Sequence, residues 1–170
     1  MVERNLSEMF ARIRNGDMDD FAGVYQELKQ PVYTICYRIT QSKETAEDIT
    51  HDVFIKLFHS PPDPSVKNVR AWIFQMARNL SIDALRKESR RSDRDAPIEI
   101  EDPYPHLDLR MDIEAALGSL SCDEREILTL HLNAALNFRE ISRIVGLSLP
   151  ATYRRYRFAL KLLQEALNGG

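Results

Sequence analysis

Residues 91–109 read "RSDRDAPIEIEDPYPHLDL", with three prolines, many acids and no sustained apolar period. A stretch like this cannot continue a helix or supply a strand to a sheet, because proline removes backbone donors and there is little apolar surface to bury. It therefore divides the 170 residues into two blocks that must each build their own core. Both blocks carry apolar residues at helical spacing, and glycine occurs only six times in the chain. The expectation is an all-α protein of two small helical domains, 1–92 and 111–170, joined by an acidic flexible linker over 93–110.

In the first block, "SEMFARIRNGD" places Met9, Phe10 and Ile13 on one face and stops near Asn15-Gly16. "MDDFAGVYQELKQPVYTICYRIT" follows with Phe21, Val24, Tyr25 and Leu28 aligned, and Pro31 is expected to kink or divide it. Ser42 or Thr45 can cap "AEDITHDVFIKLF". That segment has an apolar stripe of Ile49, Val53, Phe54 and Leu57, with Glu47, Asp48 and Asp52 on another side. The proline-rich loop "HSPPDPSVKN" leads into "VRAWIFQMARNLSIDALRKESRR", where Trp72, Ile73, Met76, Leu80 and Leu85 repeat with helical period.

The second block contains "RMDIEAALGSL", "CDEREILTLHLN", "NFREISRIV" and "GLSLPATYRRYRFALKLL", punctuated by Gly118, Asn133 and Gly146. Two short helices turned by one glycine form a helix-turn-helix when apolar residues close the corner. Ile141, Val145 and Leu147 suit that corner, while Thr152, Tyr156, Ala159 and Leu163 face inward from the last helix. Ala151, Tyr153, Arg154, Arg157 and Lys161 then point outward, able to lie along a major groove. Pro150 fits a first helical turn, with Ser148 as the cap and the open amides of that turn directed at phosphate. A plain helical hairpin with a basic outer face satisfies the same pattern.

The net charge of −3 argues against a nucleic-acid partner, but its distribution reverses the argument. Val66 to Arg94 holds eight bases against three acids, and Asn137 to Lys161 holds six bases against Glu140 alone. Asp95 to Glu114 holds seven acids and one base, Arg110. Two basic patches separated by an acidic strap can touch a polyanion at two places, although two solvated helix faces would carry the same charges. Trp72 and Phe74 beside Arg70, Arg78, Arg86 and Lys87 would suit melted DNA, where unstacked bases need aromatic surfaces. Helical spacing from Met76 places Trp72 in the core instead.

Other classes of function find little support. His51, His59, His106 and His131 have no partner at metal-ligand spacing, and phosphate loops, nucleophile elbows and H-E-x-x-H are missing. Acid pairs such as Glu47-Asp48 diverge on a helix. No enzyme activity, metal or cofactor is expected. Cys36 and Cys122 stand far apart without a C-x-x-C partner, which suits a reducing cytoplasm. The apolar runs are too short to span a membrane, and "MVERNLSEMFARIRNGD" lacks the apolar segment of a secretory signal.

In order and spacing these segments resemble a bacterial RNA polymerase sigma factor of the extracytoplasmic-function (ECF) group, over nearly the whole chain. "MFARIRNGDMDDFAGVYQEL" looks like the group's opening helix pair, and "AEDITHDVFIKLF" is similar to its "AED-apolar-x-Q-E-x-F" segment. "NVRAWIFQMARNLSIDALRKESRR" is close to the helix that follows, and "LSCDEREILTLHLNAALNFREISRIVGLSLPATYRRYRFALKLL" looks like the C-terminal helix-turn-helix domain. The resemblance implies a region 2-like domain that docks on core polymerase through Glu47, Asp48, Asp52, Phe54 and Leu57. It implies −10 contacts by the loop 60–68 with Lys67, Asn68, Arg70, Arg78 and Asn79, and by the basic run Arg86, Lys87, Arg90 and Arg91. It implies a region 4-like domain that reads the −35 element through Ala151, Tyr153, Arg154, Arg155, Arg157 and Lys161. Core RNA polymerase, promoter DNA and an anti-sigma factor are the implied partners. A stand-alone helix-turn-helix regulator and a helical adaptor that never meets DNA are the competing readings. The chain departs from the family pattern at His51 for glutamine, at the loop "SPPDPSVKN" without an aromatic, at Ser142 for alanine, and through much of the last helix, where Phe158 and Leu160 stand at places often held by bases.

Overall fold

The computed structural model describes residues 5–91 and 108–168, with side chains assigned an environment from 5–90 and 113–168. These residues form eight helices and no strand, in two compact units divided at 93/94. The expected linker lies outside the described residues except at its end, where 108–110 are already helical.

The first unit comprises α1 (Leu6–Arg14), α2 (Met18–Thr40), α3 (Lys43–His59) and α4 (Val69–Arg91). Each start is set by a short polar side chain that accepts an otherwise orphaned amide. Asn5 takes Ser7 N, Asp17 takes Asp19 N, Ser42 takes Thr45 N and Asn68 takes Ala71 N. Ser42, rather than Thr45, is therefore the cap of α3. Pro31 does not divide α2, which runs unbroken from Met18 to Thr40. Proline withholds one donor, but Val32, Ile35, Cys36 and Ile39 beyond it are buried, and that packing holds the helix through the lost bond.

Helix α2 packs against α1, α3 and α4, and α3 packs against α4. Met9, Phe10, Val24, Leu28, Val53, Leu57, Ile73, Phe74 and Ala77 fill the space between them. Each large side chain buried here contributes roughly 1.5–3 kcal/mol from its transfer out of water. The buried stripe of α4 is Val69, Ile73, Phe74, Ala77 and Ser81, whereas Trp72, Met76, Leu80 and Leu85 are only half-buried. Helical period locates an apolar face only to within about one residue when Trp72, Ile73 and Phe74 are consecutive, and here the face is rotated toward Phe74. Thr40, Thr50 and Ser81 enter this core at little cost, because each hydroxyl donates to the carbonyl four residues back in its own helix, at 2.8, 2.7 and 2.8 Å.

The second unit comprises α5 (Asp108–Ser119), α6 (Cys122–Leu132), α7 (Phe138–Val145) and α8 (Leu149–Asn168), with α8 packed against the other three. Reciprocal capping boxes, Ser121 with Glu124 and Asn137 with Glu140, start α6 and α7. Leu117, Leu120, Leu128 and Ala159 form one buried cluster, joined by Ile113, Leu162 and Leu163. Gly146 closes α7 in the left-handed region at φ 71°, and its amide donates to Ser142 O. A side chain at that φ would be strained, so the sharp turn into α8 depends on glycine. The corner is closed by Ile141 and Ile144, both buried, while Val145 and Leu147 are half-buried. Ile144 carries the position that the sequence pattern had assigned to Val145.

Candidate nucleic-acid interface

Three surfaces bear the charges singled out above, two on the first unit and one on the second.

On α3, Glu47, Asp48 and Asp52 are exposed. Phe54 and Leu57 are not their neighbours on the surface. They are 4% and 0% exposed and belong to the core, Phe54 meeting Tyr25 edge-on at 4.8 Å. Neither side chain presents a surface to a partner in this structure. The apolar groups beside the acids are Ile55 and Phe58, 41% and 46% exposed. Ile55 lies three residues after Asp52 and seven after Asp48, so it shares their face. That same spacing was legible in the sequence, where the stripe Ile49–Val53–Phe54–Leu57 already fills the inner side.

The second surface is the loop between α3 and α4 with the outer side of α4. Arg14 of α1 donates to Pro62 O at 2.5 Å, and Pro62 itself is buried. Asp63 Oδ1 accepts Ser65 N at 2.8 Å, and Val66 N donates to Asp63 O at 3.0 Å, which closes a tight turn. The Ser65 hydroxyl and amide hold the Asp63 carboxyl below its ordinary range, with Arg14 a smaller cause. The loop is pinned to α1 at one end and capped into α4 by Asn68 at the other.

Along α4 the expected cations separate into two groups. Arg70 forms an ion pair with Glu27 of α2, both half-buried, and so braces α4 against α2. Arg78 is also half-buried. Phe74 is fully buried and offers no stacking surface. Lys67, Asn79, Arg86, Lys87 and Arg90 are exposed, and Arg86 lies 3.6 Å from Asp83. Arg91 continues the helix, and its side chain lies outside the described residues. Asn68 has its Oδ1 engaged in capping.

The third surface is α7–turn–α8. Thr152 and Ala159 are buried, and Tyr156 turns inward against His131 and Phe138 with ring centroids 4.9 and 5.0 Å apart. His131 stacks on Phe138 at 4.6 Å, and its Nδ1 is 3.0 Å from Leu136 O. These contacts fix the rotation of α8, and the outer face follows from it. Tyr153, Arg154, Arg157 and Lys161 are exposed, and Ala151 is half-buried. Lys161 lies 3.5 Å from Glu165, an exposed pair that competes weakly with phosphate. Arg155 is drawn sideways to Asp123 of α6 at 2.8 Å, so it ties the two helices together.

The first turn of α8 differs from expectation. Ser148 caps it, but its Oγ takes the Ala151 amide, and Pro150 has no amide to offer. This turn is a poor phosphate cradle, and the exposed side chains of Leu149 and Tyr153 dominate its surface instead.

Residues 24–91, which span most of α2 and all of α3 and α4, match the family described as Sigma-70 region 2. The ECF RNA polymerase sigma factor SigK of Mycobacterium sp. strain KMS is 25% identical over 178 aligned positions, covering 98% of this chain and 92% of SigK. Residues 24–91 thus carry a Sigma-70 region 2, and the chain as a whole is similar to extracytoplasmic-function sigma factors. A second relative in that group, SigW of Bacillus subtilis strain 168, is 23% identical, and the match covers 98% of each protein. Among solved structures, the sigma factor RpoE of Bartonella quintana, crystallised with the anti-sigma factor NepR, superposes with a TM-score of 0.69 at 25% identity. That match covers 88% of this chain and 97% of RpoE.

Proposed function

We propose that this chain binds core RNA polymerase and directs promoter-specific initiation, with the first unit contacting the enzyme and the −10 element and the second reading the −35 element. The observation that carries this is the coexistence of the region 2 helices with a helix-turn-helix whose outer face bears Arg154 and Arg157. A stand-alone helix-turn-helix regulator would have no use for the region 2 helices, and an adaptor without DNA would have no use for the exposed cations of α8.

The acidic and apolar face of α3 (Glu47, Asp48, Asp52 and Ile55, with Phe58 at its end) suits a partner with a basic rim around apolar residues. The loop 60–68, held by Arg14 and Asn68, would with Asn79 receive a base taken out of the stack. Arg86, Lys87 and Arg90 would hold the backbone of that strand. Each unit needs only modest affinity, because attachment of one raises the effective concentration of the other. The polymerase supplies the chemistry, and this chain supplies the address in the cytoplasm. No helix among the described residues is long and apolar enough to cross a membrane. RpoE's complex with NepR supports the further reading that an anti-sigma factor holds this chain in reserve.

Reconstituted transcription tests the reading. The purified chain with core polymerase should initiate at discrete promoters on a genomic library, and core alone should not. Duplex binding by the chain without association with core would instead establish a stand-alone regulator.

A further inference from the structure

We infer that the second unit reads thymine 5-methyl groups in the −35 element through an apolar notch at the start of α8. This rests on the assignment of α8 to the −35 element. An open notch of about 480 Å³ lies between the beginnings of α7 and α8, lined by Asn137, Phe138, Arg139, Leu149, Pro150 and Tyr153.

Three observations decide what it takes. First, the amide groups at the notch are engaged elsewhere, which leaves Arg139 as its hydrogen-bonding side chain beside the apolar wall. Bidentate recognition of adenine by an Asn needs its Oδ1, and Asn137 Oδ1 already accepts the amides of Arg139 and Glu140 at 3.0 and 3.1 Å. The first-turn amides of α8 are depleted by Pro150 and by the Ser148 cap. Second, the apolar wall is rigid. Phe138 stacks on His131, meets Tyr156 at 5.0 Å and meets Tyr153 edge-on at 5.4 Å and 90°. Tyr153 is therefore held beside the notch while remaining exposed. Third, the surroundings are cationic. Arg139 forms part of the rim, and Arg154 and Arg157 lie along the outer face that begins at Pro150, all exposed. An apolar recess within a basic face is complementary to a polyanion that presents methyl groups, and the thymine methyl is the apolar feature of the major groove. Residues of the first turn are also those that a recognition helix brings to base edges.

The test uses holoenzyme reconstituted from core polymerase and the full chain. A promoter is selected from a library randomised over the −35 region. Each thymine there is then replaced singly by deoxyuridine, which removes the methyl group and leaves base pairing intact. At one or more positions deoxyuridine should weaken holoenzyme binding about three- to fourfold, the effect of withdrawing one methyl group from an apolar site. Leu149→Ser and Tyr153→Ser change exposed side chains, and the affected duplexes should bind these variants equally with thymine or deoxyuridine. Full tolerance of deoxyuridine at every position would overturn the inference, as would an unchanged preference for thymine in both variants. Initiation that ignores deoxyuridine would remove the methyl reading alone. Failure to initiate on any promoter would remove the sigma-factor role, and this inference with it.

Discussion

Arg155 Nη1 lies 2.8 Å from Asp123 Oδ2, joining the second turn of α8 to the first turn of α6. Two arginines adjacent in sequence thus have different duties, Arg155 within the unit and Arg154 outward. Arg155→Ala should lower stability by less than about 1 kcal/mol, as expected for a partly exposed pair. It should leave the choice of promoter unchanged. Thermal unfolding and competitive promoter binding check the two halves of this statement.

Arg154→Ala with Arg157→Ala should weaken −35 binding while core association persists. If each arginine neutralises one phosphate, the slope of log affinity against log salt falls by about 2. A salt titration of holoenzyme on promoter DNA measures it.

The surface and core residues of α3 should separate cleanly. Asp48→Arg and Ile55→Ser should reduce core polymerase affinity with little change in unfolding midpoint. Leu57→Ala should instead destabilise the first unit by about 2–5 kcal/mol, the usual cost of emptying a buried leucine site. Denaturant unfolding alongside core-binding titrations distinguishes them.

Arg14→Ala removes the donor to Pro62 O and should loosen the loop 60–68. Discrimination among −10 sequences should fall while −35 affinity and core binding hold. Fluorescence of 2-aminopurine placed in the −10 element reports the change, and Arg14→Lys should restore part of it.

Burial raises the Cys36 thiol pKa to about 11, whereas Cys122 is exposed. At neutral pH a thiol reagent should therefore label Cys122 quickly and Cys36 only on unfolding. The linked effect on stability has a definite sign. Between pH 9 and 11 the unfolded thiol ionises and the folded one keeps its proton, so stability falls as pH rises through that window. Cys36→Ala should flatten this part of the pH–stability curve.

The helices were legible because their signals are local. Ser42 announces the start of α3, and Gly146 announces the turn into α8. The inner face of α8 was legible for the same reason, since Thr152, Tyr156, Ala159 and Leu163 repeat at helical spacing. The facing of consecutive apolar residues was not. Trp72, Ile73 and Phe74 satisfy any rotation of α4, and only the packing of α2 and α3 selects Phe74 for the core. Ion pairs between distant residues were equally hidden. Glu27 lies 43 positions from Arg70, and Asp123 lies 32 from Arg155, distances over which charge pattern carries no pairing information. Residues 92–107 and the Arg91 side chain lie outside the described residues.

Thr152, Tyr156 and Ala159 face inward and hold α8 in place, while Arg154 and Arg157 face outward. Selection can therefore rewrite the outer letters of this helix without endangering the fold beneath. On the proposed assignment, a lineage that duplicates such a gene would acquire a second regulon by changing a few solvent-facing codons and leaving the first unit intact.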